Sequence, residues 1–181
     1  MKFTLPSSNK GFTLVELLVV IAVLGVLAAG VLVAINPVEQ LARGRDTGRK
    51  SAITELGRSL NNYLTANADI PDANISGGFA QALVDSKDIR VAPTNPGTAC
   101  AVAAADADNG VSNGYCYKKN ANNEFVIYAR SESESEEMKA GGGAACTGTD
   151  VAYIVYSSAA GKTGNVCAST SGPAVGVTSV N

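Results

Sequence analysis

From Phe12 to Ile35 the chain reads FTLVELLVVIAVLGVLAAGVLVAI, and only Thr13 and Glu16 in that run are polar. No other stretch restricts the fold as strongly. As a helix, these 24 residues rise ~1.5 Å each and reach roughly 36 Å, enough to cross a bilayer hydrocarbon layer of ~30 Å. A secretory signal peptide has an apolar region of only ~7–15 residues, which makes this run too long for one. The small residues at Leu27-Ala28-Ala29 and Val33-Ala34 still offer cleavage positions, and so keep open an exported soluble product. A plain membrane anchor is a second reading, and Glu16 is its difficulty. An acid near a helix centre costs a few kcal/mol on insertion scales. Close to the end the cost shrinks, because the carboxylate reaches the interface and the helix N-terminus attracts it.

The residues before and around Glu16 add a third reading. Lys10-Gly11-Phe12-Thr13-Leu14-Val15-Glu16 resembles the processing motif of the type IV pilin and type II secretion pseudopilin family. That motif is a short basic leader ending in glycine, then phenylalanine, then a glutamate at the fifth mature position, then an apolar helix. The resemblance is close over roughly the first 35 residues and loose over the helix that follows. It implies cleavage after Gly11 by a prepilin peptidase and N-methylation of the new amino group on Phe12. It also implies that Phe12 and Glu16 serve filament assembly. The carboxylate meets the new cationic amine, within one helix face or between neighbouring helices, because an unpaired charge in an apolar core is strongly unfavourable.

The partners implied are copies of the same chain in a helical filament, the membrane, the prepilin peptidase, a platform membrane protein and an assembly ATPase. No cofactor is implied. The precursor would sit in the cytoplasmic membrane and the product in a cell-surface or periplasmic filament. Adhesion, motility, DNA uptake and secretion all use this start, so contact with DNA or a surface stays open. A pseudopilin of a secretion or DNA-uptake machine is the alternative within the family. An exported binding domain with an uncleaved anchor or ordinary signal peptide is the alternative outside it. Lys and Arg, taken alone, favour the opposite membrane orientation: Lys2 and Lys10 precede the run, whereas Arg43, Arg45, Arg49 and Lys50 follow it.

The expected fold class is α+β and pilin-like: a long N-terminal helix, membrane-spanning in its first half, packed on a small antiparallel sheet. Residues 1–11 read as leader, 12–36 as membrane and filament-core helix, 37–68 as its amphipathic continuation, and 69–181 as a β-rich head. Many pilins carry a proline where Val33 stands, so bending is expected instead at Gly30 or Pro37.

Composition limits the head. It is rich in Ala, Gly, Ser, Thr and Asn, with no Trp, which suits a thin core and many turns better than a deep enzyme cleft. The chain has no histidine, which removes the commonest general base and rules out a Ser-His-Asp arrangement. No catalytic residue is assigned. A formal charge of −2 does not suggest a nucleic-acid binder. The four cysteines, Cys100, Cys116, Cys146 and Cys167, form no C-x-x-C pair and favour two disulfides in an oxidising compartment. Three connectivities are open; Cys100–Cys116 with Cys146–Cys167 closes the shortest loops and is the pairing expected.

After Pro37, LARGRDTGRK (41–50) reads as a solvated helix surface or flexible neck. Ile53, Leu56, Leu60, Tyr63 and Leu64 then recur at helical spacing and predict a stripe against a sheet. Asn67 to Pro71 ends that helix, and Gly77 to Ile89 is expected to form one short helix. Strands are expected at Tyr115–Lys119, Glu124–Arg130, Val151–Ser157 and around Val166–Ala168, with Tyr115, Tyr117, Phe125 and Ile127 on one face. The small, polar tail from Ser169 is expected to lack order.

Three motifs invite chemistry. Asp106-Ala-Asp108-Asn-Gly110 is a weak calcium candidate, since glycine falls fifth in the loop and Tyr117 stands at position twelve; an Asp/Asn/Gly turn is the preferred reading. Gly161-Lys162-Thr163 lacks the earlier glycine of a phosphate loop and reads as a hairpin turn. The acidic run with Glu132, Glu134, Glu136 and Glu137 reads as a solvated strand edge that also contacts Arg43, Arg45 and Arg49 of another subunit.

Overall fold

The computed structural model describes residues 11–73, 75–100 and 109–181, and the chain divides between Gln40 and Leu41 into two compact units. The first unit is dominated by α1 (Leu14–Ile35). Gly30 lies inside this helix, and the helical run is interrupted at Asn36. Asn36 adopts the left-handed conformation (φ 45°), which its short polar side chain tolerates, and the following proline disfavours continuing the α-helix through it. Pro37 then opens α2 (Pro37–Asn67) at the first helical position, where its missing N–H goes unused in any case. The Asn36 side chain accepts from the backbone N–H of Glu39 at 3.4 Å.

The second unit, residues 41–181, holds the rest of α2, then α3 (Gly78–Asp85), β1 (Asn109–Ser112), β2 (Tyr115–Lys119), β3 (Phe125–Arg130), α4 (Glu134–Ala140), β4 (Val151–Ser157) and β5 (Lys162–Ala168). The strands form one sheet in the order β1-β2-β3-β4-β5, antiparallel throughout. One face buries the expected helical stripe: Ile53, Leu56 and Leu60 pack with Phe79, Leu83, Tyr117, Phe125, Ile127, Ile154 and Tyr156. Aromatic rings stack along this layer, with Phe79 on Tyr117 at 4.7 Å and Phe125 on Tyr156 at 5.9 Å between centroids. At Gly57 the α2 backbone lies directly on the Tyr156 ring, where any Cβ would overlap it.

The opposite face corrects the reading of the tail. Val126, Tyr128, Tyr153 and Val155 form a second apolar layer, and Val175, Val177 and Val180 pack against it. Asn165 and Asn181 exchange backbone hydrogen bonds at 2.7 and 3.1 Å, and Lys118 donates to the Ser171 carbonyl at 2.6 Å. Apolar area left open on a sheet is enough to order a polar-looking segment, provided its few valines fall in register. Cys100 is bonded to Cys116, and Cys146 to Cys167; the second bridge ties the segment before β4 to β5.

Two further elements, β1 and α4, carry weaker sequence signals. β1 is short and contains Asn, Gly and Ser, none of them strand formers. It is paired to β2 through Asn113-Gly114, both at positive φ (50° and 84°), and that dipeptide between two strands was the available signal. Helix α4 starts at Ser133, whose hydroxyl accepts from the Glu136 N–H. The sequence S-x-x-E announces such a start, and the three glutamates that follow suit a helix N-terminus better than a strand edge.

Candidate assembly site

The first unit presents its apolar side chains outward. All sixteen large hydrophobic residues from Phe12 to Ile35 are more than half exposed, from Ile35 at 52% to Phe12 at 91%, and none of α1 is buried. Each such side chain gains about 1.5–3 kcal/mol when it leaves water. A helix of this kind has no stable resting state in water and requires hydrocarbon or other apolar helices around it.

The polar entry of α1 has a definite geometry. Thr13 is the N-cap, and Glu16 bends back so that one carboxylate oxygen accepts from both the backbone N–H and the hydroxyl of Thr13, each at 2.8 Å. In return the Thr13 hydroxyl accepts from the Glu16 N–H at 3.2 Å. This reciprocal capping box satisfies two otherwise orphaned helix donors. Thr13 is thus a residue of the site that attention to Glu16 alone passed over, although T-x-x-E ahead of an apolar run is its sequence signature. The arrangement places a carboxylate beside the backbone nitrogen one residue after Phe12. Gly11 and Phe12 precede the helix and are exposed.

The charged stretch 41–50 does not form a wholly solvated neck. Arg49 is completely buried and Asp46 is 2% exposed. The Arg49 guanidinium donates to Asp46 Oδ1 at 2.6 Å, to Asn95 Oδ1 at 2.8 Å and to Glu132 Oε1. Arg45 donates to the other oxygen of Glu132 at 2.6 Å. Asp46 accepts from the backbone N–H groups of Glu132 and Ser133, at 3.1 and 2.8 Å, and from the Ser131 hydroxyl at 3.0 Å. The contact expected between a basic neck and another subunit's glutamates is therefore made, for Arg45, Arg49 and Glu132, inside one chain. Partial burial pushes the Glu132 carboxyl up, but hydrogen bonds from Arg49 and Arg45 outweigh it and hold the pKa at about 2. The network fastens α2 to the β3–α4 connection.

The remaining candidates are structural or lie elsewhere. Of Gly161, Lys162 and Thr163, expected as a hairpin turn, only Gly161, at φ +65°, lies in the connection from β4; Lys162 and Thr163 begin β5, paired with Ser157 and Tyr156. Asp106 and Asp108 fall outside the described residues, and Gly110 belongs to β1. Among the described residues no group of three or more His, Cys, Asp or Glu side chains is placed to hold a metal ion.

Comparison with known proteins bears on the same segment. A family model described as a prokaryotic N-terminal methylation motif matches residues 6–32. A fimbrial protein of Neisseria meningitidis serogroup A is 33% identical over 122 residues, or 65% of this chain, and the chain spans 61% of that protein's length. No solved structure matches the chain. The methylation motif lies across the capped entry of α1, and the similarity to the fimbrial protein is too long to stop at that helix. The chain thus carries a prokaryotic N-terminal methylation motif across the start of α1 and is similar to a fimbrial protein well beyond it.

Proposed function

We propose that the chain is a structural subunit of a type IV pilus-like filament, cleaved after Gly11, N-methylated at Phe12 and assembled through the apolar helix that follows. The observation that carries this reading is α1 itself: a 22-residue helix whose large side chains all face outward and whose one carboxylate stands at the end where the cut would fall. Cleavage would create a cationic amine on Phe12, the residue before the N-cap Thr13 and four before Glu16. The carboxylate already bends back toward the chain start to meet Thr13, so it would need little rearrangement to meet that amine. In a bundle the amine of a neighbouring subunit would be an equivalent partner, and a fully paired charge inside an apolar bundle fixes axial register.

On this reading residues 1–11 are a leader removed in the cytoplasmic membrane, 12–36 form the filament core, 37–68 continue the helix, and 69–181 face outward as the head. The break at Asn36–Pro37 marks where the apolar segment gives way to the helix that carries the head. A prepilin peptidase, a platform membrane protein and an assembly ATPase are the partners this requires. The role is structural rather than enzymatic.

Mass analysis of the N-terminal peptide from material sheared off producing cells tests this reading. N-methylated Phe12 in the sheared fraction is the expected result, and Glu16→Ala is expected to leave processing intact while abolishing filament growth. Processed chain held only in membranes would identify a pseudopilin of a secretion or DNA-uptake machine. A mature start near Gly30 or Ile35, or normal filaments from Glu16→Ala, would refute the assembly role.

A further inference from the structure

We propose that the head carries two complementary charged ends that join copies of this chain head to tail, with Lys50, Arg58 and Lys162 of one copy receiving Glu137 and Asp150 of the next. This inference rests on the filament reading above. The basic end is a pocket of about 390 Å³ between α2 and the β4–β5 turn, and no carboxylate lines it. Lys50 reaches Glu136 at 3.6 Å. Arg58 and Lys162 are exposed and, among the described residues, form no ion pair. The Thr54 and Thr163 hydroxyls, 2.7 Å apart, tie the two walls together, so the three cations are held around a fixed opening. The adjoining groove is mixed in charge: Asp46, Glu55, Asp88 and Glu136 line it together with Lys50, Arg58 and Lys139.

The acidic end is a second pocket, about 340 Å³, where Glu132, Glu137 and Asp150 stand against one cation, Arg130. Glu132 is committed to Arg45 and Arg49. Glu137 is half-buried and Asp150 exposed, and neither forms an ion pair among the described residues. The acidic pocket is lined by Val151 and Ala152 at the start of β4, and the basic pocket by Tyr156 near its end. At ~3.3 Å per strand residue the two lie roughly 15 Å apart along one strand. Joined head to tail, two different patches make a heterologous contact, which extends into rings or filaments as the filament reading requires. Burial of apolar helices is non-directional, whereas opposed charges fix register and reject wrong neighbours. The two uncommitted carboxylates match the two uncommitted cations.

The test reverses the charges in the full chain, in producing cells. Arg58→Glu with Lys162→Glu, and separately Glu137→Lys with Asp150→Lys, are each expected to lower the yield of sheared filaments about tenfold, since each converts attractive pairs into repulsive ones. All four substitutions together are expected to recover most of the yield. As a second readout that tolerates weak assembly, Asp150→Cys with Lys162→Cys in one chain is expected to give a ladder of disulfide-linked oligomers in the filaments. If wild-type filaments form and neither the reversals nor the cysteine pair has any effect, the contact is wrong and the filament reading stands. If the wild-type chain yields no filaments carrying methylated Phe12, the filament reading fails and this contact falls with it.

Discussion

Substituting Arg49 by methionine should be the most damaging single change in the head outside the apolar core. The guanidinium is completely buried and donates to three acceptors, Asp46, Asn95 and Glu132. Methionine fills much of the volume but supplies no donor. Asn95 Oδ1 keeps the Gly97 N–H at 3.2 Å, and Glu132 keeps Arg45, so neither is stranded. Asp46 is the costly partner. It retains two backbone N–H groups and the Ser131 hydroxyl, yet its charge, 2% exposed, loses its only close cation among the described residues. Breaking a buried pair from one side costs about 3–5 kcal/mol, which for a head of this size lowers the melting temperature by about 10–15 °C. Asp46→Asn removes the charge instead and should cost less, and the double variant should lie well short of the sum, by at least about 1 kcal/mol. Urea unfolding of the full chain in detergent, with the disulfides intact and followed by circular dichroism, reads all three. A loss under about 1 kcal/mol for Arg49→Met, or strict additivity, would refute the view that this network fastens α2 to the β3–α4 connection.

The same network predicts a pH dependence. The Glu132 carboxyl titrates at about 2 in the folded chain, against an ordinary 4.5, so the stability it contributes is complete above 4.5 and is lost as pH falls through that window. The amount is at most about 3 kcal/mol, and nearer 1–2 after solvent screening of a partly exposed group; Glu132→Gln should flatten the acid limb of a stability profile. Gly57→Ala should destabilise the head by about 1–3 kcal/mol despite alanine's better helix propensity, because its Cβ meets the Tyr156 ring; a melting temperature equal to or above that of the parent would contradict the close approach. Val180→Asp places a charge where a side chain only 4% exposed covers the sheet. Limited proteolysis should then release the tail after Ser169 much faster than in the parent, and an unchanged cleavage pattern would show that the tail is not held by burial.

The apolar helix at the start of this protein was legible in its sequence because membrane physics acts on local composition. Two dozen apolar residues with a glycine, a phenylalanine and a glutamate in fixed order carry their meaning without any partner from the rest of the chain. The strands β2 to β5 and the Ile53–Leu56–Leu60 stripe were readable for a related reason: alternation and helical spacing report which side chains share a face. Local chemistry also announced the Thr13–Glu16 and Ser133–Glu136 caps and the Asn113-Gly114 turn, and these were open to closer reading. What only the tertiary structure decided is where charges and tails find partners. Arg49 and Glu132 are 83 residues apart, and nothing in the polar stretch 41–50 distinguishes the arginine that is wholly buried from those that are not. The segment after Ser169 looks too polar to fold. It is ordered because the sheet's second face, built from strands as early in the chain as β2, offers apolar surface that must be covered. Local pattern specifies an element and its faces, whereas burial of a charge or a tail depends on what the rest of the chain brings opposite it.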